Sequence, residues 1–324
     1  MERQKIFPVL LAVLLAAAVF LGIFFLSMYR SINYLPEEAL EDLCQILAED
    51  GITLNKNTVP MKKEMGAVYV CAPEEYGSVV SIQLGMGEIK YRFATPDGEI
   101  ILLEEGAVCE FRSDFYFHYR ADQQKNYMED DEDDSLFDGA SVFSEKGSAS
   151  CRAAKDFLEK GSSSFDKQGK FNLVTEIGRV AEKNGVFYVE CIRTIDGVEM
   201  TENRVICAIS GETVLEAKGT WAFLTPGQTY SSQTVDIFNI LFSVKKEINE
   251  QRKTKEIPAV EINRIDKCHM LYYLGGNGGL CFVPCWKIVT NVCGEFIFNA
   301  TDGTLCTNGL VETAPDIGEI TNKY

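Results

Sequence analysis

Ile6-Phe-Pro-Val-Leu-Leu-Ala-Val-Leu-Leu-Ala-Ala-Ala-Val-Phe-Leu-Gly-Ile-Phe-Phe-Leu-Ser-Met28 is the stretch on which the reading of this fold turns. It carries no charge, and nothing later in the chain looks like it. About 20 apolar residues rising about 1.5 Å each cross a hydrocarbon core of roughly 30 Å. Residues 6–28 are therefore expected to form a transmembrane helix. A cleaved secretory signal has a shorter apolar core, about 7–15 residues, followed by small residues at its exit. Here Ala16-Ala17-Ala18 sit mid-span and the run leaves through Phe24-Phe25-Leu26-Ser27-Met28. This favours an uncleaved signal-anchor.

Working outward, Arg3, Lys5 and the terminal amine lie on one side; Arg30 lies on the other, followed by Glu37, Glu38, Glu41 and Asp42. The positive-inside rule then expects residues 1–5 in the cytoplasm and the C-terminal body outside the cell, on a single-pass bacterial membrane protein in contact with lipid through residues 6–28. The chain has 324 residues and a formal charge of −17. The soluble part is long enough for two or three small domains. So acidic a surface repels phosphate backbones, which argues against a nucleic-acid partner. The 11 cysteines are odd in number and scattered, mostly within apolar runs such as Val68-Tyr69-Val70-Cys71. A disulfide framework is usually even and clustered, whereas free cysteine packs as a small hydrophobe, so mostly reduced core cysteines are expected.

Residues 36–50 read as a helix, with Pro36 at its start, Glu37 and Glu38 in the first turn and Gly51 past its end. Short β-type runs follow at 67–71, 78–84, 88–94 and 99–104, with Thr95-Pro96-Asp97-Gly98 as a hairpin turn. Residues 111–120 read as one further strand. Glu129-Asp-Asp-Glu-Asp-Asp134 reads as part of a solvated loop, and it lacks the ligand spacing and turn glycine of a calcium loop. A helix is expected at 149–160, strands at 172–182, 186–194, 204–209 and 213–223, and a helix at 235–253. Strands return at 260–274, 280–290, 295–299 and 304–307. The order of helix, strands and Gly hairpin thus occurs three times. It predicts an α+β protein: a single N-terminal transmembrane helix followed by repeated units, each a helix packed on one face of an antiparallel sheet. The units are expected at 34–120, 149–228 and 229–310, with an acidic linker at 121–148 and a tail at 311–324.

Chemistry is hard to find. Cys281 and Cys285, four residues apart on an extended strand, are about 13 Å apart, beyond the roughly 7 Å limit for bridged Cα atoms. His118 and His269 are the two histidines. Cys268 and His269 are adjacent, so on a strand they face opposite ways and do not make a metal pair. No Gly-x-Ser-x-Gly and no phosphate loop occur; Gly275-Gly-Asn-Gly-Gly279 joins two strands. No catalytic residue, cofactor site or metal site is assigned.

Val283-Pro284-Cys285-Trp286-Lys287-Ile288, followed by Phe298-Asn299-Ala300-Thr301-Asp302-Gly303, resembles the C-terminal signature of the YycH/YycI family. There a Val-Pro-x-Trp strand leads to a strand ending in Asn-Ala and a Gly turn. The pattern is shared with PepSY-like domains. Physically, Trp286 is a large apolar anchor beside Pro284, and Asn299 with Gly303 can shape a tight turn. The resemblance implies PepSY-like units and no catalytic residues. It further implies a membrane-anchored regulator that associates with a WalK/YycG-type sensor histidine kinase controlling cell-wall homeostasis, alongside a paralogous regulator in the same membrane. Ala12, Ala16, Ala17 and Gly22 are the small residues at which a partner helix could approach closely. A second expectation is an exported PepSY-like module binding a peptide, a protease or cell-wall material, with the anchor as a tether. A surface enzyme is the third.

Overall fold

The computed structural model describes residues 3–63, 65–71, 86–112, 115–128, 135–137, 145–165, 172–222, 224–274 and 279–306. The strand expected at 78–84, the acidic block at 129–134, the glycine run at 275–278 and the tail at 311–324 lie outside these residues.

The N-terminal stretch is helical: α1 spans Arg3–Asn33, and its side chains from Leu14 to Arg30 are exposed. Among the described residues, no helix is long and apolar enough to cross a membrane. The expectation of a signal-anchor at 6–28 is corrected accordingly. With it go the cytoplasmic segment 1–5, the extracellular body and the single-pass bacterial-membrane location.

The expected fold class is corrected as well. Strands take 49% of the structure and helices 27%, and the strands form a large mixed sheet rather than repeated antiparallel units. Parallel pairing joins segments far apart in the chain: β1 (Ile52–Leu54) runs parallel to β12 (Val260–Leu274), with Ile52 opposite Val260. The chain divides into two compact units, each assembled from separated segments: 1–66, 232–266 and 286–305 in the first, and 67–231, 267–285 and 306–324 in the second. Hairpin turns and helix periodicity are local signals, whereas parallel pairing between distant strands leaves no local mark.

The first unit is built on two amphipathic helices. α2 (Glu37–Glu49) buries Leu40, Leu43 and Leu47, and Pro36 stands at its N-cap. A second helix (Ile237–Arg252, α4 in chain order) buries Ile237, Ile240, Leu241, Val244 and Ile248, the spacing of one helical stripe. The Asp236 carboxylate caps it by accepting from the Phe238 N–H at 2.9 Å. Asp50, just past α2, ties the two together: it accepts from Asn249 Nδ2 at 2.8 Å and pairs with Lys245 Nζ at 3.0 Å. The hydrogen bonds from Asn249 and Lys245 hold its carboxyl below the usual range. These helices share a core with β1, the start of β12, the end of β13 (Gly279–Thr290) and β14 (Glu295–Asn299). The two-residue strand β15 (Leu305–Cys306) pairs with β14.

In the second unit the strand order is β11-β2-β13-β12-β9-β10-β6-β5-β4-β3. The remaining ranges are β2 (Met65–Cys71), β3 (Ile89–Thr95), β4 (Gly98–Leu103), β5 (Val108–Arg112), β6 (Tyr116–Arg120), β7 (Leu173–Lys183), β8 (Val186–Ile195), β9 (Val198–Ser210), β10 (Thr213–Thr220) and β11 (Leu224–Gln233). β8 bridges β7 and β9 off that path, through Asn184-Gly185 and Asp196-Gly197 turns with positive φ throughout, the pattern of tight two-residue hairpins. The single strand expected at 111–120 is instead the β5–β6 hairpin: Phe115 takes φ 64° and the chain turns back on itself. β11 contains Thr225-Pro226-Gly227, a turn-like string in sequence. It is accommodated because β11 is an edge strand, where a missing N–H costs no ladder bond.

β8 and β9 are buried on both faces. On one side lies a helix at Glu145–Phe165, α3, through Cys151, Ala154 and Leu158. On the other, Met128 and Phe137 pack with Tyr188, Ile206 and Ala208. The segment 121–148, expected to be a solvated acidic linker, therefore contributes core residues in its described parts.

Candidate functional site

In the second unit, α3, the β9–β10 turn and the β6 strand enclose an open groove of about 840 Å³. Its floor is apolar and half-buried: Met86, Tyr119, Ala153, Phe157 and Val214. Tyr119 and Phe157 meet with ring centroids 5.2 Å apart and planes inclined at 46°. Burial raises the Tyr119 hydroxyl above its usual pKa, with smaller contributions from Cys109 and Glu105. The rim is exposed and charged. Asp156 and Glu159 come from α3, Glu212 from the β9–β10 turn and Glu105 from the β4–β5 turn; among the described residues Arg152 is the one basic lining residue. The helix supplies both surfaces through its period: Ala154 and Leu158 face the core, while Ala153 and Phe157, one position earlier on the wheel, reach the groove.

Sequence periodicity places Ala153, Ala154, Phe157 and Leu158 on one side of a helix. It does not show that Phe157 meets Tyr119, nor that Glu105 and Glu212 share a rim. Those residues come from four elements, and no spacing rule connects them.

The two histidines lie in structural contacts outside the groove. His118 Nε2 lies 2.6 Å from Glu216 Oε1. Glu216 Oε2 accepts from the backbone N–H groups of Tyr127 and Met128 at 2.6 and 3.0 Å. This carboxylate is fully buried and holds the segment that begins at Tyr127. His269 is buried against the edge of Tyr69, ring centroids 5.2 Å apart, and burial pulls its pKa down to about 4, so the ring is neutral at pH 7. Among the described residues, no group of three or more His, Cys, Asp or Glu side chains is arranged to hold a metal ion. All eleven cysteines are free thiols, Cys281 with its pKa pushed up to about 12 by burial.

The residues singled out by the family resemblance fall as follows. Pro284 and Trp286 lie within β13, both buried, and Trp286 packs in the first unit's core. Asn299 ends β14 and is fully buried. Its Oδ1 accepts from the Thr301 N–H at 2.8 Å and from Thr301 Oγ1 at 2.7 Å. Gly303 donates its N–H to the Asn299 carbonyl at 2.8 Å and takes φ 77°. On α1, Ala16, Ala17 and Gly22 are exposed, and among the described residues nothing beyond the adjoining helix backbone lies within 4 Å of a Cβ placed at Gly22. Ala12 lies on the same helix, with its side chain outside the described residues.

No family model and no curated protein matches this sequence. Among solved structures, the chain is similar to an uncharacterized protein from Eubacterium rectale ATCC 33656, with a TM-score of 0.47 and 11% identity, over 80% of this chain and 91% of that one.

Proposed function

We propose that this is a non-catalytic regulatory protein that acts by binding another protein. The observation that carries the reading is the groove on the second unit, an apolar floor framed by charge. The partner we propose is a sensor histidine kinase of the WalK/YycG type. That choice rests on the Val283–Ile288 and Phe298–Gly303 strings. The groove also favours a second reading, a module that captures a peptide or protease segment with no kinase involved.

Co-purification of the full chain with the sensor kinase of its own cell tests the first reading, together with kinase autophosphorylation measured with and without it. Retention of the kinase and a changed autophosphorylation rate are expected. A kinase neither retained nor altered would sink the kinase assignment and leave the binding module.

A further inference from the structure

We infer that the groove takes a cationic peptide segment, an aromatic or aliphatic side chain flanked by lysine or arginine. This deepens the binding reading above and rests on it.

Two features of the groove select that occupant. The floor presents Tyr119 and Phe157 as a half-buried aromatic pair, with Val214 and Met86 beside them, a surface that an apolar side chain covers. Among the described residues four carboxylates stand around it, Glu105, Asp156, Glu159 and Glu212, against the single guanidinium of Arg152. None of the four makes an ion pair or hydrogen bond with another described residue, so no described group neutralises them. A surface helix that needed only solubility would serve equally well with its acids spread around it. Here they converge from three elements on the border of an aromatic floor. Anionic ligands are repelled by such a rim, and a purely apolar ligand leaves it unused. A peptide with an apolar side chain between two cations meets both, and its ammonium or guanidinium groups can also lie over the aromatic faces. The volume of about 840 Å³ suits a few side chains rather than a whole folded domain.

The test is fluorescence anisotropy with three labelled hexapeptides, KRFLRK, the charge-reversed EDFLED and the floor-blind KRGGRK, titrated with the full chain. Saturable binding of KRFLRK is expected, with the other two at least about tenfold weaker. The triple variant Asp156→Lys, Glu159→Lys, Glu212→Lys changes exposed groups only and leaves the core intact. It is expected to weaken KRFLRK about tenfold, the combined effect of three exposed charge contacts. Equal binding of EDFLED, or an unchanged affinity in the triple variant, would overturn the charge argument. Equal binding of KRGGRK would overturn the role of the aromatic floor. No binding of KRFLRK at all would remove the groove as a peptide site. The outcome separates from the kinase assignment: a wild-type chain that binds KRFLRK but retains no kinase loses the partner and keeps the groove. A chain that retains the kinase and ignores KRFLRK loses the groove and keeps the partner.

Discussion

His118 and Glu216 meet across the β6–β10 pair with Nε2 and Oε1 2.6 Å apart, and the second Glu216 oxygen holds the backbone of Tyr127 and Met128. The fully buried carboxylate thereby fixes the point from which Met128 enters the core beside Tyr188 and Ile206. Removing it strands two N–H donors and leaves His118 without its partner. Glu216→Ala is expected to lose about 3–5 kcal/mol of stability. Urea unfolding measures it; a loss below about 1 kcal/mol would show that water replaces the carboxylate.

Glu202 accepts the Leu271 N–H at 3.0 Å, and burial raises its pKa to about 7. Its pKa in the unfolded chain is about 4.3. Between those values the folded state holds a proton that the unfolded state has released, so this group's contribution is full below about pH 4 and is lost as pH rises through 7. Glu202→Gln keeps an acceptor and removes the buried charge. The variant is expected to gain on the wild type at pH 8 and to show no gain at pH 4. Equal differences at both pH values would mean that Glu202 titrates normally.

His269 works in the opposite sense. Its folded pKa of about 4 lies below the ordinary value near 6.5, so the unfolded chain takes up a proton first as pH falls. Its contribution is full above about pH 6.5 and drains away towards pH 4. A His269→Phe variant is expected to flatten the acid limb of the stability profile. An unaltered acid limb in chemical denaturation would refute the burial argument.

The Asn299 turn separates side-chain from backbone requirements. Asn299→Ala deletes the acceptor of the Thr301 N–H and hydroxyl and is expected to cost about 1–3 kcal/mol. Gly303→Ala meets no tight contact, since its Cβ would lie 3.7 Å from Ile240 and Val235. It must still hold φ 77°, and about 1–2 kcal/mol of backbone strain is expected. Thermal unfolding of each variant reads both losses; a neutral Gly303→Ala would show that the turn relaxes.

Cysteine reactivity follows burial. Nine of the eleven free thiols are buried, and Cys44 and Cys293 are half-buried. Burial raises the pKa of Cys71, Cys109 and Cys281, which suppresses their thiolates. Reaction with a thiol reagent is expected to label Cys44 and Cys293 first and the rest only on unfolding. Rapid labelling of many sites in the native protein would contradict the packing described.

Much of the local structure is legible in the residues themselves. The stripe Ile237, Ile240, Leu241, Val244 and Ile248 makes a helix wherever it is placed, and Thr95-Pro96-Asp97-Gly98 turns a hairpin through backbone preferences of its own residues. Where local signals were misleading, tertiary context prevailed. Pro226 is compatible with a strand only because β11 is an edge, and 111–120 splits into two strands because Phe115 turns the chain while remaining buried.

What the sequence by itself determined, then, is helix faces, hairpin turns, net charge and the apolar character of the cysteine environments. These depend on neighbours within a few positions. Only the tertiary structure decided that β1 lies parallel to β12, that Met128 is core, and that Tyr119, Phe157, Glu105 and Glu212 border one groove. Such pairings join residues from a few tens to about two hundred positions apart, and what selects them is the burial of surface that no local pattern can see.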